Sequence, residues 1–227
     1  MLDDFQIVAY IRTSFLDWKA HVVSTIFTPF CNFACPWCNN GDIVTSESSL
    51  CSSSEILLDL AKRKDFLDGV CVSGGEPTLQ KDLPCFLQEV KKLGLATKLD
   101  TNGTNPDVLQ NLLDNKLIDF VAMDVKAPLN EKKYSSLTGT LITQDVLNKI
   151  SCTIKILKKI PHEFRTTYVP SLHEIQDLQE IEQFLDDESW VIQCFKPLNT
   201  LDIMFMQQSE AKKEVLLEYF PHVTIRG

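Results

Sequence analysis

Short apolar runs of strand length alternate with amphipathic segments of helix length along nearly all of this 227-residue chain. No other feature restricts the fold as much. Strands are expected over 21–27, 69–73, 96–99, 120–125, 164–169 and 190–195, because brief apolar runs bounded by turn residues mark buried strands. Between them the sequence predicts helices over 55–64, 82–93, 106–115, 143–160, 171–186 and 210–219, and 223–226 suits a last strand. The helix boundaries carry their own signals. Asp82 stands at an N-cap with Gly94 just past the helix end. Asn105 precedes Pro106, which is preset for a first helical position. Ser52 with Glu55, and Ser171 with Glu174, have capping-box spacing. Strands that alternate with helices imply right-handed crossovers and a parallel sheet. A closed eight-unit barrel usually takes about 250 residues. Six units in 227 residues therefore suggest a laterally open barrel or an open doubly wound sheet, in a single domain over 1–227. In both, ligands bind at the carboxyl ends of the strands.

Composition narrows the function classes. Apolar residues make up 44% and charged residues 23%, as in ordinary globular chains. The net charge of -9 disfavours a nucleic-acid partner held by phosphate contacts. No apolar run reaches the roughly 18 residues of a membrane helix, and the first residues lack the pattern of a secretory leader. A cytoplasmic protein with reduced thiols is expected. The eight cysteines are then not a disulfide framework, since a chain of this size does not need one. Clustered cysteines in such a compartment bind metal or do chemistry. Residues 46–54, rich in serine, read as a loop leading into a helix. There is no internal repeat, and no G-x-G-x-x-G or Walker pattern.

The polar residues gather where the expected strands end. After the first comes Thr28-Pro-Phe-Cys31-Asn-Phe-Ala-Cys35-Pro-Trp37-Cys38. After the second comes Gly74-Gly75-Glu76-Pro77, and after the third Asp100-Thr-Asn102-Gly103. The fourth carries Asp124 and Lys126, and the fifth Arg165. Three thiolates this close can wrap one soft metal centre. An iron–sulfur cubane normally takes four cysteines, so three would leave one iron open to a small molecule. Structural zinc is the alternative; it is usually four-coordinate, and no histidine lies nearby in sequence. Gly74 and Gly75 suit a close backbone approach to a ligand or an ordinary tight turn. Glu76 is expected to order that turn. Asp124, at the end of an apolar strand, needs a partner, which Lys126 could supply. Arg165 meets either an anion or an acid. Cys71, Cys85, Cys152 and Cys194 are expected to be buried and inert, and Cys51 exposed. None of the histidines is assigned to catalysis.

The pattern C-x3-C-x-aromatic-C, with Trp37 as the aromatic, followed one strand later by Gly-Gly-Glu-Pro, resembles the radical S-adenosylmethionine superfamily. Asp100-Thr-Asn102-Gly103, Met123-Asp124-Val-Lys126, Tyr134 with Leu137-Thr-Gly139, and Phe164-Arg165-Thr-Thr-Tyr-Val-Pro170 are similar to motifs of small activases of glycyl radical enzymes. The similarity runs from about residue 13 to 202. It implies a partial (β/α)6 barrel and a [4Fe-4S] cluster on Cys31, Cys35 and Cys38. It also implies S-adenosylmethionine held by Trp37, Gly74, Gly75, Glu76, Asp100, Asn102, Asp124, Lys126 and Arg165. No side chain is assigned as catalytic in its own right. The implied partners are a glycyl radical enzyme, anaerobic ribonucleoside-triphosphate reductase first, and a flavodoxin- or ferredoxin-type electron donor. The alternative is a radical enzyme acting on a small molecule, similar to 7-carboxy-7-deazaguanine synthase. The chain departs from the activase pattern at Phe30, usually Gly, at Asn39, usually His, and at Asp17-Trp-Lys-Ala20, usually Asp-Tyr-Pro-Gly. The three cysteine ligands are intact.

Overall fold

Eight strands form one sheet in unbroken sequence order. The computed structural model describes residues 5–45 and 51–227; residues 46–50 of the expected serine-rich loop lie outside that range. The strands are β1 (Ala9–Ser14), β2 (Val23–Thr28), β3 (Gly69–Gly74), β4 (Ala96–Thr101), β5 (Phe120–Asp124), β6 (His162–Tyr168), β7 (Trp190–Cys194) and β8 (Thr224–Arg226). β1 is antiparallel to β2, and β2 to β8 are parallel throughout. The crossovers carry α1 (Gly41–Thr45), α2 (Ser53–Arg63), α3 (Leu83–Lys92), α4 (Pro106–Asp114), α5 (Glu131–Thr138), α6 (Gln144–Leu157), α7 (Ile175–Leu185) and α8 (Lys213–Tyr219).

The strand order decides between the two expected architectures. A doubly wound sheet reverses direction at a switch point. Here it never reverses, so right-handed crossovers place every helix on one side. The other side curls inward as the interior of a partial barrel. Among the described residues β1 and β8 do not pair with each other, so the barrel stays open along one flank. Residue alternation separates the faces. Val70, Val72, Leu99, Val121, Met123, Phe164 and Ile192 face the helices and form the main core. The intervening Ser73, Asp100, Asp124, Arg165, Thr167 and Gln193 face the interior cavity. A smaller cluster of Trp18, Val23 and Cys71 plugs its floor.

Several local expectations change. β1 and α5 were not anticipated, and α8 starts at Lys213 rather than 210. The second capping box sits at Glu174, whose N–H donates to Asp177 at 2.6 Å, while Ser171 donates to Gln208 instead. Asn105 starts α4 without a side-chain cap, because its amide donates to Thr78 at 2.8 Å. Cys85 and Cys152 are exposed, on the outer stripes of α3 and α6, and Cys51 and Cys194 are half-buried; of the four cysteines expected inside, Cys71 is buried. Among the described residues no helix is long and apolar enough to cross a membrane.

Candidate functional site

The loop after β2 has little regular structure, yet it is fixed at many points. The Ala34 N–H donates to Thr138 at 2.9 Å, and the Trp37 indole N–H donates to the Leu137 carbonyl at 2.8 Å. The N–H groups of Leu201 and Asp202 reach the carbonyls of Cys38 and Pro36 at 3.0 and 2.9 Å. Asn39, which stands where the activase pattern has His, donates to the carbonyls of Lys196 and Leu198. Asn40 donates to Gly74 at 3.0 Å. The loop turns at Phe30, whose φ is +62°. Bulky residues avoid this left-handed region at a cost of about 1–2 kcal/mol, which accounts for Gly in the activase pattern. Ala20, the other glycine position of that pattern, has a φ of +63°. Both departures keep the backbone shape without the residue that adopts it most easily.

Cys31, Cys35 and Cys38 are free thiols that line one cavity of about 440 Å³. Trp37, Gly74, Gly75, Glu76, Asp100, Asn102, Asp124, Lys126 and Arg165 line the same cavity. Thus every residue singled out from the sequence, drawn from five different loops and strands, converges there. Burial pushes the Cys35 thiol up to about 12, and raises Cys31 and Cys38 too. Lys126 pulls all three the other way. Thiols so placed become thiolates readily only when further positive charge arrives, as a metal centre supplies. Three soft sulfur donors lining one cavity suit an iron–sulfur cubane, which takes each thiolate on a different iron.

Beneath the thiols runs an alternating chain of charges. Lys98 pairs with Asp100, Asp100 with Arg165 at 3.2 Å, Arg165 with Asp124 at 2.9 Å, and Asp124 with Lys126 at 3.2 Å. Burial alone would raise the Asp124 carboxyl, but Arg165 and then Lys126 hold it at about 2. Asp100 is held low in the same way, by Arg165 and Lys98 against burial. The chain begins and ends on a lysine, so it carries one excess positive charge. Its Lys126 ammonium lies 5.1 Å from the centre of the Trp37 ring. Tyr134 and His173 fix the Lys126 backbone: its N–H donates to the Tyr134 hydroxyl at 3.2 Å, and its carbonyl accepts from His173 Nε2 at 2.9 Å. The Val169 N–H donates to His173 Nδ1 at 3.1 Å, so the proton resides on Nε2. Burial lowers the His173 pKa and keeps the ring neutral.

Glu76 is fully buried and orders the turn, as expected. Its carboxylate accepts from Thr101 Oγ1 at 2.8 Å, the Asn102 N–H at 2.7 Å and the Thr78 hydroxyl at 2.5 Å. Burial raises its pKa against these bonds. The adjacent glycines serve a backbone-to-backbone contact. The Gly75 N–H donates to Thr28 at 2.8 Å, and the Glu76 N–H to Phe30 at 2.7 Å. A Cβ on Gly75 would overlap the Phe30 carbonyl oxygen. Gly75→Ala should therefore displace the cysteine loop and lower stability by about 1–3 kcal/mol. Thermal unfolding measures it, and an unchanged midpoint would contradict this view of the contact.

Sequence reasoning named Asp17 and Tyr134 only within motifs and gave them no place in the site, and it missed Lys98, Thr167, His173 and Gln193. Asp17 reaches into the interior from the β1–β2 connection and accepts from Thr25 at 2.5 Å. The signal for Lys98 and Thr167 was a polar residue at alternate positions of an apolar strand. For His173 there was none.

The family model described as the radical SAM superfamily matches residues 25–187. A Methanocaldococcus jannaschii protein named as a glycyl-radical enzyme activating enzyme is 34% identical over 230 aligned residues, covering 95% of this chain and 93% of the relative. A 7-carboxy-7-deazaguanine synthase of Thermoplasma acidophilum is 35% identical over 104 residues, 44% of this chain and 46% of the relative. Among solved structures, Streptococcus suis SuiB bound to S-adenosylmethionine shares the fold at a TM-score of 0.60 and 16% identity. That match covers 86% of this chain and 47% of SuiB.

Proposed function

This chain belongs to the radical SAM superfamily, and from that premise we propose that it activates a glycyl radical enzyme, anaerobic ribonucleoside-triphosphate reductase being the first candidate. The observation that carries this reading is likeness over almost the whole length to a protein named for that activity; the likeness to 7-carboxy-7-deazaguanine synthase spans less than half of the chain. The open flank of the barrel supports it, since a polypeptide loop needs a lateral entrance.

In this reading Cys31, Cys35 and Cys38 hold a [4Fe-4S] cluster. With one electron from a flavodoxin- or ferredoxin-type donor, the cluster and S-adenosylmethionine, when bound, supply a 5′-deoxyadenosyl radical able to take a hydrogen atom from a glycine Cα. The chain's own residues position and shield. Trp37 covers the cysteine side of the cavity. Gly74, Gly75 and the turn ordered by Glu76 present backbone groups to the cofactor. Asn102 and Asp100 offer polar contacts, and Asp124, Lys126 and Arg165 set the charge against which its amino and carboxylate groups settle. Reactive geometry needs contacts of about 3–3.5 Å, and glycine as the target has no side chain in the way.

The test is electron paramagnetic resonance of the reduced, reconstituted protein mixed with S-adenosylmethionine and the reductase of the same organism. An organic radical doublet is expected on the partner, collapsing to a singlet when the partner's glycine carries deuterium on Cα. Formation of 5′-deoxyadenosine with no partner radical, together with conversion of a small metabolite, would overturn the activase reading.

A further inference from the structure

We propose that Thr167 and Gln193 form a subsite for the peptide backbone of the substrate loop, on the open side of the barrel; this rests on the activase reading. The two residues are direct neighbours in register on β6 and β7. Alternation fixes their direction. Thr166 and Ile192 face outward, where Thr166 donates to the Val125 carbonyl at 2.7 Å and Ile192 joins the core. Thr167 and Gln193 therefore face the interior, where both line the main cavity. They also line a second cavity of about 300 Å³, bounded further by Cys194, Lys196 and Arg226 on the β8 side. Together with Asn39 they are the residues common to both spaces.

Most of their polar neighbours are already partnered, Lys196 at the rim of the second cavity being the exception among the described residues. Asn39 is bonded to Lys196 and Leu198. Arg226 is paired with Glu163 at 2.7 Å, and Arg165 with two acids. The Thr167 hydroxyl and the Gln193 carboxamide face these spaces with no hydrogen bond from any described residue. Both are half-buried, so water or a ligand must meet them.

Their chemistry selects the ligand class. A carboxamide offers donors and an acceptor on one plane, and a hydroxyl offers both. That set matches the N–H and C=O of an extended peptide. Neither group carries a charge, so the pair itself offers a charged small molecule no ionic partner. Ligand sites are usually about 300–1,000 Å³, so a main cavity of 440 Å³ is largely filled by one small cofactor. The adjoining space is where a second molecule finds room. The cofactor contacts proposed above lie mostly on the β2–β5 side, and Thr167 and Gln193 on the side opposite.

The experiment titrates the intact reductase against the reconstituted protein, following radical formation, with calorimetric S-adenosylmethionine affinity as the check on folding. Gln193→Leu and Thr167→Val should each raise the KM for the partner about tenfold, equivalent to about 1.4 kcal/mol, with cofactor affinity within about twofold. Thr167→Ser, which keeps the hydroxyl, should retain the wild-type KM. If the wild type forms the partner radical and Gln193→Leu leaves KM unchanged, the subsite falls and the activase reading stands. If the wild type forms no partner radical, the activase reading itself falls, and the subsite with it.

Discussion

Replacing any one of Cys31, Cys35 or Cys38 with alanine should abolish iron binding and S-adenosylmethionine cleavage together. In the proposed cluster each thiolate would bind a different iron, so a lost ligand could not be shared among the remaining two. The loop that carries them is held from several sides, by Thr138, Leu137, Lys196 and Gly74. It cannot slide to bring another donor into place. Cys85→Ser and Cys152→Ser are the controls, since both side chains are exposed on helices. They should keep full iron content and full cleavage. The measurements are iron per chain, visible absorbance after anaerobic reconstitution, and 5′-deoxyadenosine formed. A colourless protein that binds zinc tightly through the same cysteines would remove the cluster assignment. Retention of iron by Cys35→Ala would remove the ligand set.

The second large effect concerns Arg165. It bonds both Asp100 and Asp124, and both acids lie in the barrel interior. Arg165→Met keeps an apolar stem of similar length but leaves two carboxylates facing each other with one lysine apiece. Removing one member of a buried ion network typically costs about 3–5 kcal/mol. The remaining lysines place this case near the lower end, about 3 kcal/mol. Urea unfolding at neutral pH measures it. The sign of the pH dependence follows from the direction of the shifts. Asp100 and Asp124 are both held below their ordinary value in the folded chain. The stability they contribute is complete above about pH 4. It is lost as pH falls through the folded values, about 2 for Asp124. The gap between wild type and Arg165→Met should narrow below about pH 4. Equal unfolding midpoints at neutral pH would show that the lysines alone suffice.

How far the sequence led depends on how each element is buried. Parallel strands buried on both faces for most of their length are largely apolar, so 69–73 and 120–125 were legible at once. β1 was not: it is an edge strand with Ile11 and Arg12 exposed, and its sequence lacks a clean alternation. α5 is polar, and its helical signals were its ends, Asn130 as N-cap and Gly139 at a φ of +61°. The cavity's rim was legible because loop residues with special chemistry cluster in short motifs. Its walls were not. Lys98, Thr167 and Gln193 sit singly on separate strands, and only the register of the sheet brings them near the rim. The positive φ at Phe30 left one trace in the sequence, the glycine that usually stands there in the activase pattern; Phe itself gives no sign of it.

The unbroken strand order also governs how the chain assembles. Each parallel strand docks on the edge formed just before it, and one crossover separates each pair. Closing such loops costs little extra entropy as they lengthen, and no strand waits for a distant partner. The strand order along the chain is thus also the order in which neighbouring strands become available for pairing during synthesis. The cysteine loop follows β2, whereas Asp124, Lys126 and Arg165 arrive with β5 and β6. A chain that has not yet placed β5 and β6 leaves the three thiols without the walls that bury them in the folded protein. During that interval they are open to metal delivery, and equally to oxidation by any oxidant that reaches the nascent chain.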